Sequence, residues 1–361
     1  MGQNSGVLEW STTPTNRNRT SPDVTTETFH LSKLAQQRLL DNTTFGRFQV
    51  QTGLADFYWE ASYYHPPHRK TSLLDALVKT DGFVIFLHGW NGNHRIWEDL
   101  PTRLIQAYPN LVCLNLDIHG FGQSPFIKEK PPIHQATLQA AMTAVESWLE
   151  LINLRPTPYR ATKPFYMFVG HSMGGGIIFY KDQPQWQNET YGCYMMSPSM
   201  LYHEIIRRLL FQLVGWSILI PYVTPIKNMV AQLVIWFAMN EASRRVKWEH
   251  GQYEDPFDTL SATLLGVSQS PKPSRTDWSQ FRLVLGNRDM LVNPKLMLNF
   301  VEKLGFTPDQ IRMVIGDHYF LSYDETSPIS HKYNREIVLA DLVAFCQQLS
   351  KKAAINLTCD K

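Results

Sequence analysis

Six short apolar runs punctuate the chain: FVIFLHG (83–89), LVCLNLDIHG (111–120), PFYMFVGHS (164–172), YGCYMMSP (191–198), FRLVLGNRD (281–289) and IRMVIGDH (311–318). Each ends in glycine or polar residues. Near-continuous hydrophobicity, rather than alternation, predicts strands buried on both faces, as in a parallel sheet. Between the runs, Leu138, Met142, Val145, Leu149 and Ile152 recur at steps of four and three, which places them on one face of a helix. Val338, Leu342, Phe345 and Leu349 repeat that spacing near the C-terminus. Strand–helix alternation predicts an α/β fold, with a mostly parallel central sheet and helices on both faces. Phe48, Val50, Leu54, Phe57 and Trp59 predict two further short strands turning at Thr52-Gly53, and HPPHRK (65–70) reads as a Pro-rich loop.

Two regions break this rhythm. Residues 1–44 read as an N-terminal polar tail, the first thirty rich in Ser, Thr, Asn and Arg without apolar periodicity. More than 80 residues separate Ser197 from Phe281, far more than a crossover needs. Residues 199–275 therefore read as an inserted helical subdomain, and 45–198 with 276–361 as the core. Within the insert, Leu209 to Asn240 carries one charge, Lys227, and is flanked by Arg207-Arg208 and Arg244-Arg245. Pro221 and Pro225 split this stretch into two apolar segments, which predicts a helical hairpin.

Composition narrows the function classes. Of 361 residues, 43% are hydrophobic and 18% charged, which implies a packed core. The net charge of +2 is too small to argue for nucleic-acid binding. Cys113, Cys193, Cys346 and Cys359 have no metal-ligand spacing and read as reduced thiols. No signal-peptide pattern opens the chain, position 6 is Gly where a myristoylation signal has Ser or Thr, and the expectation is cytoplasmic. The N-x-[ST] triplets at Asn18, Asn42, Asn188 and Asn356 then read as chance matches.

The chemistry is expected beyond the carboxyl ends of the strands. GHSMGGG (170–176) follows a buried run and opens a helical one, so Ser172 reads as a nucleophile on a strand-to-helix elbow. A phosphate loop is excluded because no Gly-Lys-Ser/Thr follows. Serine needs a base, and the base needs an orienting acid. FRLVLG ends at Asp289, and IRMVIG ends at Asp317-His318. His318 is the candidate base. Asp289 is favoured over Asp317 as the acid, because adjacent side chains diverge. Backbone N–H groups of Met173 and of Trp90, in LHGW (87–90), are the candidate oxyanion hole. His88 and His171 read as bracing side chains. No metal site and no cofactor is expected.

LHGW, DIHGFGQS (117–124), GHSMGGG, GNRD and GDH occur together and in this order. With them the chain resembles the α/β-hydrolase superfamily, in particular its monoglyceride-lipase and lysophospholipase-like members, over roughly residues 80–350. The resemblance implies a triad of Ser172, Asp289 and His318, an oxyanion hole from Trp90 and Met173, and a cap where the insert lies. One departure is His119, where relatives usually carry Arg. Ser172 argues against an epoxide hydrolase or dehalogenase, which carry Asp at that position.

Leu209–Asn240 admits three readings: a cap lining the pocket, an interfacial hairpin with arginines at anionic headgroups, or a membrane span. The two prolines, Gln212 and Ser217 weaken the last. The expected function is hydrolysis of carboxylic acyl esters through an acyl-enzyme on Ser172. The expected partner is a small-molecule ester or lipid, with peripheral membrane contact through the cap. A related triad chemistry, or a non-catalytic binding or membrane-interaction protein on the same scaffold, is the alternative.

Overall fold

A computed structural model of the chain describes residues 24–29, 57–64, 73–126, 131–151, 164–181, 189–200, 205–218, 257–273, 275, 277–321 and 329–359. In chain order the elements are β1 (Val24–Phe29), β2 (Trp59–Tyr64), α1 (Leu73–Lys79), β3 (Gly82–Leu87), α2 (Leu100–Ala107), β4 (Leu111–Leu116), α3 (Leu138–Leu151) and β5 (Phe165–His171). They continue with α4 (Met173–Ile178), β6 (Thr190–Met196), α5 (Ile205–Ile218), α6 (Phe257–Gln269), β7 (Phe281–Gly286), α7 (Pro294–Leu304), β8 (Ile311–Val314) and α8 (Ile329–Cys359).

The strands form one sheet in the order β1-β2-β4-β3-β5-β6-β7-β8. β1 with β2 and β2 with β4 are antiparallel, and every other pairing is parallel. All six apolar runs became strands of this sheet; the first five are covered on both sides, whereas β8 is an edge strand in which only Val314 is buried. Phe83, Ile85 and Leu87 of β3 join a core with α3, α4 and α7. Val84 and Phe86 of the same strand join a second core with α2 and α8. Leu138, Met142, Val145 and Leu149 line one of these helical faces, and Val338, Leu342, Phe345 and Leu349 another.

One reading needs correction. Val24–Phe29 falls within the predicted polar tail, yet it pairs with β2 from Val24↔Tyr64 to Phe29↔Trp59. VTTETF is rich in β-branched residues, and the open edge of β2 supplies backbone partners that local polarity does not reveal. Trp59 lies in β2 as expected. The predicted turn at Thr52-Gly53, the loop at 65–70 and the second half of the apolar hairpin lie outside the described residues. Among the described residues, α5 and α6 join β6 to β7, and no helix is long and apolar enough to cross a membrane. Cys113, Cys193 and Cys346 are free and buried.

The far end of α4 is held by a buried charge cluster. Lys181 is fully buried, with its Nζ 2.9 Å from Glu146 Oε1 on α3 and 3.3 Å from Glu189 Oε2 beside β6. Burial alone would favour the neutral amine, but the two carboxylates hold its pKa above the ordinary lysine value. Removing the cation leaves the fully buried Glu189 and the partly exposed Glu146 without it. Lys181→Met should therefore cost roughly 3–5 kcal/mol, read from urea unfolding at pH 7. An unchanged midpoint would show that the cluster does not hold α4 in place.

Candidate active site

The β5–α4 elbow is set by close backbone approaches. Ser172 sits at φ 53°, ψ −115°, a region disfavoured for a side chain-bearing residue. A Cβ at Gly170 would lie 2.4 Å from the Gly174 carbonyl carbon, and one at Gly174 only 2.1 Å from the Leu87 oxygen. Glycine is thus required on both sides of the serine. The next two glycines answer a different neighbour, the segment leaving β6. A Cβ at Gly175 would meet Pro198 at 2.9 Å, and one at Gly176 would meet the Ser199 oxygen at 2.6 Å. Ser172 N–H donates to the Met196 carbonyl at 2.9 Å, so the elbow is pinned to the end of β6.

Asp289 and His318 come from the neighbouring strands β7 and β8. Gly286 permits this: a Cβ there would stand 2.4 Å from the Asp317 oxygen. His318 Nδ1 lies 2.8 Å from Asp289 Oδ2. Asp289 Oδ1 accepts the N–H groups of Leu291 and Val292, both at 2.8 Å. Burial opposes charge on this carboxyl, but the imidazole beside it and these donors hold its pKa below the ordinary aspartate value. Asp317 accepts from the Tyr319 N–H at 2.9 Å and so organises its own turn. His171 Nε2 donates to the His318 carbonyl at 2.7 Å, with the two rings 4.8 Å apart. His171 thus joins the elbow to the loop that carries His318, rather than bracing the elbow alone.

The serine and the histidine are not hydrogen-bonded to each other here. Ser172 Oγ instead lies 3.2 Å from Ser199 Oγ, and Ser199 N–H donates to the Ser172 carbonyl at 2.8 Å. Rotation about the Ser172 Cα–Cβ bond redirects the hydroxyl, and such contacts tighten when substrate binds.

The LHGW loop follows β3. A Cβ at Gly89 would lie 3.1 Å from Ser172 Cβ, so this loop runs directly past the serine. Trp90 is next in the chain, and Met173 is buried at the start of α4. His88 joins two loops: its Nδ1 donates to the Gly89 carbonyl at 2.7 Å, and its Nε2 accepts the Ile118 N–H at 2.9 Å. That pattern needs a neutral ring, and burial lowers its pKa to about 4.

A family model described as the alpha/beta hydrolase family matches residues 84–325. The chain belongs to the alpha/beta hydrolase family. Solved structures share this hydrolase's fold at low identity. A thermophilic esterase from Thermogutta terrifontis aligns with TM-score 0.56 at 16% identity, over 82% of this chain and 94% of its own. Bromoperoxidase from Bacillus anthracis gives 0.54 at 17%, over 81% and 97%. An esterase from Exiguobacterium antarcticum gives 0.54 at 12%, over 82% and 98%. No curated protein matches the sequence.

His119, at the family's usual Arg position, is buried in this hydrolase, with its pKa lowered to about 4 by desolvation. It packs edge-on against Phe126, ring centroids 5.1 Å apart, and its Nε2 lies 3.3 Å from the Gln135 carbonyl. The turn forms nonetheless, with Gly120 and Gly122 at φ 92° and 56° and Gly120 N–H donating to the Ser124 carbonyl.

Sequence reading missed two groups. Ser199 follows β6, where the strand-end rule applies, but nothing local separates it from a loop serine. His94 is the other. Its Nδ1 lies 2.8 Å from Asp117 Oδ1 and its Nε2 3.0 Å from Glu60 Oε1, linking the loops after β3 and β4 to β2. Burial opposes the imidazolium, yet the two carboxylates outweigh it and raise the pKa to about 9. That folded value exceeds the ordinary 6.5, so the stabilisation is full below about pH 6.5 and fades as pH rises through about 9. His94→Gln should therefore lower the melting temperature strongly at pH 6 and little at pH 10. An equal loss at both would show that His94 is neutral in the folded protein.

Proposed function

We propose that this chain is a serine hydrolase of carboxylic acyl esters, acting on lipid-like substrates such as monoglycerides or lysophospholipids. The observation that carries the reading is an elbow serine after β5 together with an Asp289–His318 pair, 2.8 Å apart, at the ends of β7 and β8. In the proposed reaction His318 Nε2 takes the Ser172 proton as Oγ attacks the acyl carbonyl. The N–H groups of Trp90 and Met173 hold the oxyanion. Collapse breaks the ester C–O bond, and His318 returns the proton to the leaving alcohol. Water, deprotonated by His318, then frees the acid and Ser172. Asp289 holds the imidazole tautomer and stabilises its cation. A bromoperoxidase among the structural neighbours shares only the fold, so perhydrolysis is tested beside ester cleavage by adding peroxide.

This predicts that a fluorophosphonate labels the full chain and that Ser172→Ala abolishes both labelling and hydrolysis. An unlabelled Ser172 in well-folded protein would overturn the reading.

The lipid assignment rests on α5. Ile205, Ile206, Leu209, Leu210, Leu213 and Trp216 are all exposed, Ile206 at 83% and Leu213 at 69%. At 100° per residue they fall within an arc of about 140°. Gly215 is buried on the opposite side, where a Cβ would meet Leu265 of α6 at 2.8 Å. Arg207 is directed inward, donating to the Met290 and Leu291 carbonyls. The helix is therefore amphipathic with its apolar side turned outward. Residues 205–247 carry six Lys or Arg against one Glu, a charge suited to an anionic bilayer. In this reading α5 and α6 belong to a cap that rests on lipid. Wild-type protein should float with anionic phosphatidylglycerol vesicles, and Leu209→Glu/Leu213→Glu should remain in the pellet fraction with its melting temperature unchanged. A melting temperature that falls with those charges would mean that protein, not lipid, covers the face.

A further inference from the structure

The indole of Trp90 carries a contact that the proposed chemistry does not use. Its Nε1–H donates to Thr263 Oγ1 at 3.0 Å, across 173 positions of sequence. Trp90 follows the loop beside Ser172, and Thr263 lies in the middle of α6. The hydroxyl is oriented for this role. Thr263 is buried and gives its own proton to the Thr259 carbonyl at 2.7 Å, which leaves an oxygen lone pair for the indole.

α6 is in turn fixed on two sides. Towards the core, a Cβ at Gly266 would stand 2.1 Å from the Ala136 oxygen, and Ser270 Oγ accepts the Leu138 N–H at 3.0 Å. Towards α5, Ser261 Oγ donates to the Gly215 carbonyl at 2.7 Å. A contiguous set of packed and hydrogen-bonded groups thus runs from α5, through α6 and Thr263, to Trp90.

We propose that Thr263 is a positioning residue which sets the oxyanion loop through the Trp90 indole, so that the seating of the cap controls the Trp90 N–H. This rests on the reading of that N–H as an oxyanion donor. The physical reason is that an oxyanion donor works only when aimed at the charge that develops in the transition state. The Gly89–Trp90 peptide is held at its carbonyl, which accepts from His88 Nδ1 at 2.7 Å and from the Gly92 N–H at 3.1 Å. The indole bond to α6 adds a second anchor, on the far side of the same residue, and so restrains the tilt that carbonyl contacts alone leave free. Loosening the indole leaves ester binding largely intact and weakens stabilisation of the tetrahedral intermediate.

The test is steady-state hydrolysis of monooleoylglycerol in mixed micelles, with fluorophosphonate labelling rates on the same full-length proteins. Thr263→Val keeps the shape and removes the acceptor. It should lower kcat about tenfold, less than the loss of a whole donor, with KM nearly unchanged. Thr263→Ser should restore kcat. Trp90→Phe keeps the backbone N–H and should match Thr263→Val, and the double variant should be no worse than either, because both remove one interaction. Labelling rates should fall in parallel, since the phosphonyl oxygen uses the same site. Wild-type kcat in Thr263→Val, failure of Thr263→Ser to restore it, or multiplying losses in the double variant would overturn the proposal. If Thr263→Val does not fold, an unchanged kcat in Trp90→Phe overturns it alone. A wild-type protein that neither turns over ester nor takes label would overturn the ester-hydrolase reading as well, whereas normal wild-type turnover with indifferent variants sinks only this inference.

Discussion

The backbone of α4 approaches the end of β3 so closely that no side chain fits between them. A Cβ at Gly174 would stand 2.1 Å from the Leu87 oxygen. The sheet sets that distance, because β3 and β5 are paired in register from Gly82↔Phe165 to Leu87↔Gly170. With the strands fixed, the chain after His171 can enter a helix only through a sharp turn, and Ser172 occupies it with φ 53°. The rest of the site is arranged around that turn. The loop after β3 passes the serine at Gly89, and the segment after β6 crosses α4 at Gly175 and Gly176. The serine is therefore held at the turn, buried and with its Oγ beside that of Ser199, because the backbone around it is crowded.

Electrostatics then separates two histidine environments. His318 faces one carboxylate, Asp289, whose other oxygen is occupied by two backbone donors. That arrangement fixes the orientation of the ring. His94 faces two carboxylates, Asp117 and Glu60, and is held charged up to about pH 9. A ring held charged suits a brace rather than a base. Its position ties β2 to the loops after β3 and β4. His88 joins the same two loops as a neutral ring, because its two contacts require one donor and one acceptor nitrogen.

Much of this was legible along the chain. Five of the six strands were visible because burial on both faces leaves near-continuous apolar runs; β8, at the sheet edge, was visible although Arg312 and Met313 are exposed. The face of α3 was visible because Leu138, Met142, Val145 and Leu149 keep helical spacing. Ser172, Asp289 and His318 stood out only once the ends of the strands were located, since lone aspartates and histidines carry no mark of their own. Val24–Phe29 was missed because an edge strand of mixed polarity depends on its partner. His94 was missed because the groups that charge it lie 34 and 23 positions away.

The amino-acid order by itself determined the layered α/β fold, the elbow and the sequence positions of its polar strand ends. Those features follow from local periodicity and from glycine's lack of a side chain, which act over a few residues. Only tertiary structure decided which acid meets His318, since Asp317 is nearer in sequence and Asp289 nearer in space. It also decided that α5 turns its apolar side outward, and that Thr263 meets Trp90. Each of these depends on how rigid elements distant in sequence come to rest on one another, and side-chain spacing along a single element carries no information about that.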